Sequence, residues 1–493
     1  MTDPSLNRRV GISAVWTVMT RLMLQSMGIV SSIVIARLLG PEEVGVFEKA
    51  VIITGFLDML TAMGLETALV GRRDRLQVHY DTAWTLNILR GLVTALAILA
   101  LVPFADAWFQ APGVGAMLAV LALATLLRGF ENIGMVDFRR DLEFDKEFRF
   151  LLYRRITMFV VALAIAFIWR TAWAMVMATL AAAVVGLVMS FLMSPMRPRL
   201  TLAAWRDLFH FVKWMFAYET IQAFSSKLEG LILLKMATPT EVAFYNRANE
   251  IGGTPSTEIA MPIVRAVLPG MMKTGDDQLR RNEMFISFMA LALTVALPAG
   301  LGLVLVADSL VTVLLGLAWL PMAPLLEILA LRGILRVINA NSGSAFIAAG
   351  RVDLLTKTTT FGIVTRLPMI ILGYMYGGLN GLAWASVFAA TISIGGTCYA
   401  LNYIGVPVVR PLFARLWRVM LGCVGMIAAV RLLQASPDWA RLDDLTHLLG
   451  ESVIGAAVFT LVTLAAWVLG GRPSGPDATL VSVIAARLRR RRA

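Results

Sequence analysis

Cysteine, histidine and charge are all scarce in this chain of 493 residues. There are two cysteines and three histidines, and charged residues make up 15% of the sequence. Cys398 and Cys423 both lie in apolar stretches without metal-ligand spacing, which excludes a disulfide framework and a zinc site. His79, His210 and His447 have no serine or cysteine arranged with them as a catalytic triad. No glycine-rich loop follows a strand pattern, so no phosphate-binding loop is expected, and no cofactor or metal. An ATP-driven mechanism would need a partner.

What is present in excess is apolar residue. Hydrophobic residues reach 58% and the mean hydropathy is +0.76, against about 45–50% apolar in soluble domains. A core inside a chain of this length cannot hide that much apolar surface from water, so lipid must take the rest. The net charge of +12 would suggest nucleic acid in a soluble protein. No aromatic-basic stripe accompanies it, so nucleic acid is excluded as a partner. Basic loops that orient membrane helices explain the charge better.

A spanning helix needs about 20 mostly apolar residues. About fourteen segments qualify: 11–36, 43–70, 82–105, 113–135, 148–169, 172–194, 208–235, 242–270, 283–306, 309–337, 352–374, 378–404, 412–433 and 447–470. The first is too long for a signal-peptide core and reads as a retained helix. Lys and Arg cluster in alternate loops: Arg72, Arg73 and Arg75, then Arg139, Arg140, Lys146 and Arg149, then Arg197 and Arg199, then Lys273, Arg280 and Arg281. The intervening loops hold little beyond Arg37, Arg170, Lys235 and Arg441. The basic set is expected on the cytoplasmic side, with both termini there. The tail, residues 476–493, fits a basic amphipathic helix on the membrane or a disordered topogenic segment equally well.

An internal repeat appears when positions 198 apart are aligned. Pro41, Glu43, Val44 and Ala50 match Pro239, Glu241, Val242 and Ala248, and Arg37, Phe47 and Lys49 face Lys235, Tyr245 and Arg247. The offset spans six helices. An even number preserves orientation, so the repeat is parallel, the two-lobe plan of transporters that rock about a central site. The expected fold is all-α and polytopic, with domains at 1–200 (helices one to six), 201–405 (helices seven to twelve), 406–472 (the last two) and a tail at 473–493.

The hairpin Ile35-Ala-Arg-Leu-Leu-Gly-Pro-Glu-Glu-Val-Gly-Val-Phe47, followed by Gly64-Leu-Glu-Thr-Ala-Leu-Val70, resembles the first hairpin of polysaccharide flippases. These belong to the multidrug/oligosaccharidyl-lipid/polysaccharide exporter superfamily. Arg197-Pro-Arg-Leu-Thr-Leu202 resembles the bridge between lobes in that branch. Ala243-Phe-Tyr245 departs from the glycine common before the aromatic in the second hairpin. The resemblance implies a transporter, not an enzyme, that moves a lipid-linked oligosaccharide, usually on undecaprenyl diphosphate, across the bacterial cytoplasmic membrane by alternating access. It implies a role in exopolysaccharide or lipopolysaccharide biosynthesis. It also implies as partners the substrate, membrane lipids and other polysaccharide assembly proteins, and a hydrophobic groove for the lipid tail at helices thirteen and fourteen.

Ionisable residues within spans are costly and normally face a bundle interior or wet cavity. Arginine suits a diphosphate because its planar fork gives bidentate hydrogen bonds. Related flippases place arginines in helices one and eight, which points to Arg21 and Arg265 as head-group residues; Arg90 is a third candidate. Arg90, Arg128, Arg332 and Arg366 each also read as structural, as ion-paired or snorkelling side chains. Glu219, Lys227, Glu229 and Glu258 are candidates for gating or coupling, and the repeat pairs Arg21 with Glu219 across the lobes. Tyr218 and Trp214 are candidates for sugar contact. Two rival readings stay open: a cation-coupled exporter of drugs or metabolites in the same superfamily, which would want a more acidic cavity, and a membrane polymerase or ligase, which would want a catalytic outer loop.

Overall fold

The structure is a computed structural model that describes residues 4–71, 76–141, 143–255, 271, 277–437 and 439–471. Fifteen α-helices can be followed among them. The first half contains α1 (Pro4–Leu60), α2 (Leu65–Gly71), α3 (Gln77–Phe109), α4 (Val114–Gly129), α5 (Val136–Arg140), α6 (Phe144–Trp169), α7 (Trp173–Met193), α8 (Trp205–Met236) and α9 (Pro239–Thr254). The second half contains α10 (Gln278–Leu305), α11 (Ala307–Leu314), α12 (Ala323–Ala348), α13 (Val352–Tyr403), α14 (Val409–Gln434) and α15 (Asp444–Leu469). Short 3-10 turns lie at Ile133–Met135, Leu317–Met322 and Trp439–Arg441. No strand occurs among the described residues.

Nine helical stretches among the described residues are long and apolar enough to cross a membrane, or ten if the bent α4–α5 pair is one span. Two of the nine, of 48 and 51 residues, are each long enough to cross twice, and both carry a break. In α1 the break is at Gly40 (φ 77, ψ 171), just before Pro41. In α13 it is at Gly377 and Gly378. The arms of α13 fold back on each other: Phe361 lies against Gly396, Gly362 against Ser393, and Gly373 against Gly381. A Cβ on Gly381 would fall 2.1 Å from the Gly373 carbonyl oxygen, so this backbone approach needs glycine. The arms of α1 diverge in partners instead. Trp16 packs on Phe148 of α6, whereas Thr61 hydrogen-bonds Thr94 of α3 at 2.8 Å. The element order is consistent with the expected fourteen crossings.

One expected span is less apolar than its neighbours. α8, over segment 208–235, is not among the nine, and Lys213, Glu219, Lys227, Glu229 and Lys235 are distributed along its length. It is placed by packing, against α1, α2 and α3. The chain divides into two compact units, Met1–Ala243 and Phe244–Ala493. The first unit therefore includes α8, although the sequence repeat begins its second copy at about that helix.

Each unit has an apolar core. In the first, Leu65, Leu69, Tyr80, Ile133, Leu208 and Val212 cluster where α2, α3 and α8 meet. In the second, Phe285, Met289, Leu293, Val337, Phe346 and Val419 join α10, α12 and α14. Apolar side chains such as Leu96, Phe167, Ile168, Leu192 and Leu461 face outward. Outward apolar faces on helices of this length are what a bilayer stabilises and water does not. The protein is a multi-pass membrane protein.

Between α7 and α8 the chain is extended, and its backbone donors must be satisfied elsewhere. The first turns of α3 supply the acceptors. Arg199 N donates to Asp81 Oδ1 (3.0 Å), Thr201 N to Thr85 Oγ1 (3.0 Å) and Ala204 N to Thr82 Oγ1 (3.2 Å). Asn132 Nδ2 donates to Met196 O (2.8 Å). The segment that resembles an interlobe bridge is a strap fastened along one face of α3.

Candidate functional site

Five charges of the first unit gather at one place. Arg90 lies 13 residues into α3, about 20 Å along a helix about 50 Å long. Its Nη1 is 3.7 Å from Asp58 Oδ1, on the second arm of α1, and its Nε donates to Asn87 Oδ1 at 3.2 Å. Arg128, near the end of α4, places Nη1 3.9 Å from the other oxygen of Asp58. Arg154 of α6 donates to Glu131 Oε2 at 3.2 Å. The cluster thus draws on α1, α3, α4 and α6, together with Glu131 just past α4.

The pairing is incomplete. Both contacts to Asp58 exceed the length of a charge-assisted hydrogen bond, about 2.7–2.9 Å. Arg128 Nε and Glu131 Oε1 are buried with no hydrogen-bond partner among the described residues. Three guanidiniums face two carboxylates. Glu66 is also within electrostatic range of Glu131, but it is held by Arg139 at 3.0 Å. Asp58, Arg90 and Arg128 are each partly exposed. Two arginines competing weakly for one aspartate retain donors for an anionic group.

The candidates from sequence fall out unequally. Arg90 joins this cluster, with Arg128, which the sequence reading had left as structural. Glu219 and Lys227 are half-buried on α8, Lys227 close to Gly55 of α1, and Glu229 is buried. The side chains of Arg21, Trp214 and Tyr218, and the whole of Glu258 and Arg265, lie outside the described residues. Asp58 and Arg154 were missed. Asp58 is the one charged residue of the apolar run 50–65, and treating every intramembrane acid as a candidate would have found it.

A second buried charge serves the frame. Lys49 is fully buried and four residues from Gly45, on the same face of α1. Its Nζ donates to Phe109 O at the end of α3 and to Ala237 O at the end of α8, both at 2.6 Å. An ammonium there satisfies orphan carbonyls at the negative ends of two helix dipoles. A Cβ on Gly45 would fall 1.8 Å from Pro239 O, so glycine lets the α8–α9 turn seat beside the lysine.

In the second unit, Arg332 of α12 is buried and donates to Tyr245 OH (3.2 Å) and Asn249 Oδ1 of α9. This is a structural tie, and it occupies Tyr245. No group of three or more His, Cys, Asp or Glu able to hold a metal is found among the described residues.

Comparison with known proteins gives a family from the sequence and a fold from solved structures. The profile of the family described as "Polysaccharide biosynthesis protein" matches residues 34–324, more than half of the chain. The lipopolysaccharide biosynthesis protein WzxC of Escherichia coli (strain K12) is 23% identical over 77% of this chain and 78% of its own length. The succinoglycan biosynthesis transport protein ExoT of Rhizobium meliloti (strain 1021) is 21% identical over 93% of both. Among solved structures, lipid II flippase MurJ in an inward closed conformation aligns with a TM-score of 0.70 at 14% identity, covering 92% of this chain and 98% of that one. An inward-facing MATE family multidrug resistance transporter of the MOP superfamily aligns at 0.60 and 14%, covering 80% and 99%. At such identities the two structures speak for the fold alone. With the sequence match added to that fold, the chain belongs to the polysaccharide biosynthesis protein family.

Proposed function

We propose that this protein moves a lipid-linked oligosaccharide, carried on a polyprenyl diphosphate such as undecaprenyl diphosphate, across the bacterial cytoplasmic membrane by alternating access. The observation that carries the reading is the arginine cluster. Guanidiniums with unused donors sit about 20 Å along a spanning helix, where an isolated charge is costly, and a diphosphate supplies what they lack. Sequence relatives named for polysaccharide and lipopolysaccharide biosynthesis support the substrate class.

In this reading Arg90 and Arg128 hold the diphosphate, together with Arg21 and Arg265. Glu219, on the first helix of the second repeat, competes with the substrate for Arg21, so that breaking that pair biases the two states. Lys227, Glu229 and Glu258 serve gating or coupling, and Tyr218 and Trp214 line the sugar path. Both termini face the cytoplasm, and the Lys49 end of the bundle faces outward. The partners are the lipid-linked oligosaccharide, membrane lipids and other polysaccharide assembly proteins. The protein acts as a transporter and performs no covalent step.

The test is flipping of a defined polyprenyl-diphosphate glycan by the reconstituted protein. Wild type moves the glycan, and Arg90→Ala and Arg128→Ala slow it at least about tenfold, the scale of one charged hydrogen bond. Export of an organic cation, with no movement of any polyprenyl-diphosphate glycan, would favour the drug-exporter reading instead.

A further inference from the structure

The strap between α7 and α8 is pinned at both ends. Ser194 and Ala204 are buried, and the amides of Arg199, Thr201 and Ala204 are tied to α3. Side chains along an extended segment alternate between two faces. Here the alternation separates two chemistries. Arg197, Arg199 and Thr201 fall on one row, and Pro198, Leu200 and Leu202 on the other. Both arginines and both leucines are exposed. Leu200 is 71% exposed, as bare as Leu192 at 73% on the outward face of α7. The apolar exposure of that helix therefore continues along one row of the strap.

The charge there is one-sided. Residues 194–209 hold Arg197, Arg199 and Arg206 against a single acid, Asp207, which faces His79 at 3.3 Å. Arg197 is set in place by two hydrogen bonds from Nη1, to Ser194 O (2.7 Å) and Met196 O (2.8 Å), and stays exposed. None of the three arginines has a carboxylate partner among the described residues. Two other exposed arginines of this unit are neutralised, Arg139 by Glu66 and Glu147 and Arg149 by Asp145. Past the strap, α8 opens with Trp205. Its ring lies 5.9 Å from the Arg206 guanidinium and 5.6 Å from the Phe209 ring, edge to face. All three side chains are exposed. A tryptophan beside a basic residue suits the membrane–water boundary, where one end of the ring is wet and the other apolar.

We propose that the strap and the first turn of α8 form a docking surface for anionic phospholipid, of the phosphatidylglycerol or cardiolipin class. Leu200, Leu202 and Trp205 enter the boundary of the acyl chains, and Arg197, Arg199 and Arg206 meet the phosphates. An extended backbone belongs at this depth and not in the hydrocarbon, where each unpaired amide would be stranded. A soluble polyanion would pair with the arginines and leave the leucines in water. A zwitterionic surface would cover the leucines and offset each phosphate with its own ammonium. An anionic membrane surface answers both rows. The proposal rests neither on what the protein transports nor on which way it faces.

Lipid retention by the purified full-length protein, read by native mass spectrometry, tests it. The probes are phosphatidylglycerol and phosphatidylcholine with the same acyl chains. Wild type should retain phosphatidylglycerol at least about tenfold better. Arg197→Gln, Arg199→Gln and Arg206→Gln should each lower phosphatidylglycerol retention about fivefold, the worth of one basic residue at an anionic surface, and leave phosphatidylcholine unchanged. Leu200→Ser combined with Leu202→Ser should lower retention of both lipids. Arg139→Gln and Arg149→Gln remove arginines that are exposed but paired. They should leave the preference intact, which separates this surface from net basicity. All of these side chains are exposed, and an unchanged melting temperature checks that each variant is folded. The proposal is overturned if wild type shows no preference, if the paired arginines matter as much as the strap arginines, or if the leucine pair changes neither lipid. Competition by a polyprenyl diphosphate that is lost in the strap variants would assign the surface to the transported lipid and overturn it as well.

Discussion

Lys49 and Glu451 are two ionisable side chains buried in membrane helices, and they are finished differently. Lys49 gives two short hydrogen bonds to carbonyls at the ends of two helices. Glu451 accepts on one oxygen from Gln434 and Trp439, and its other oxygen has no partner among the described residues. Burial alone would rank them together. The completeness of their hydrogen bonds separates a charge whose partners are all supplied by the frame from one whose second acceptor is not paired among the described residues. Arg90 and Arg128 lie between these extremes, with long contacts to a shared carboxylate.

If that distinction holds, removing the frame charge should cost most. Lys49→Met leaves the Phe109 and Ala237 carbonyls without their donor, and the expected loss is about 3 kcal/mol, from about 1–3 kcal/mol per unsatisfied buried group. It would be read as a lowered melting temperature in detergent. A variant as stable as wild type would break the comparison at its stronger end.

The arginines come next. Arg90→Ala should slow transport about tenfold or more with less loss of stability than Lys49→Met, because its ion pair is loose. Arg90→Lys should recover only part of the rate, since an ammonium cannot form the bidentate fork. Full rescue by lysine would mean that charge alone matters there.

For Glu451→Gln the expected stability change is under about 1 kcal/mol, because the remaining carbonyl oxygen still accepts from Gln434 and Trp439. A large stability loss would move Glu451 into the same class as Lys49.

The smallest effect belongs to an exposed carboxylate. Asp443 caps α15, accepting from Thr446 Oγ1 at 2.6 Å and Thr446 N at 3.3 Å. The hydrogen bonds from Thr446 hold its carboxyl below the usual aspartate value of 3.8. A depressed folded-state value means that its contribution is complete above the unfolded value and is lost as pH falls through the folded one. The melting difference between wild type and Asp443→Asn should therefore be slight at neutral pH and shrink below about pH 4. A difference that grows on acidification would contradict the cap.

Much of the architecture was legible because membrane helices advertise themselves. Long apolar runs with glycine or proline at their joins gave the order of elements, and Gly40-Pro41 and Gly377-Gly378 marked the two breaks. The packing of α8 was harder to foresee. Its repeat partner is α1, yet it packs on α1, α2 and α3, since contacts follow buried faces and not ancestry. The site was half legible. Arg90 stood out as a charge in a helix, but its partner Asp58 comes from a segment far away in sequence, and one-dimensional reading has no access to that meeting. Glu451 was overlooked because it sits two turns inside an otherwise apolar span. Its meaning depends on an oxygen left open, which composition cannot express.

The strap between α7 and α8 has a mechanical consequence. Its amides at Arg199, Thr201 and Ala204 are anchored to Asp81, Thr82 and Thr85, so the connection has almost no slack. A freely jointed tether would let one helix move while the next stayed still. This one works as a crank: when the first turns of α3 tilt, the start of α8 is dragged with them.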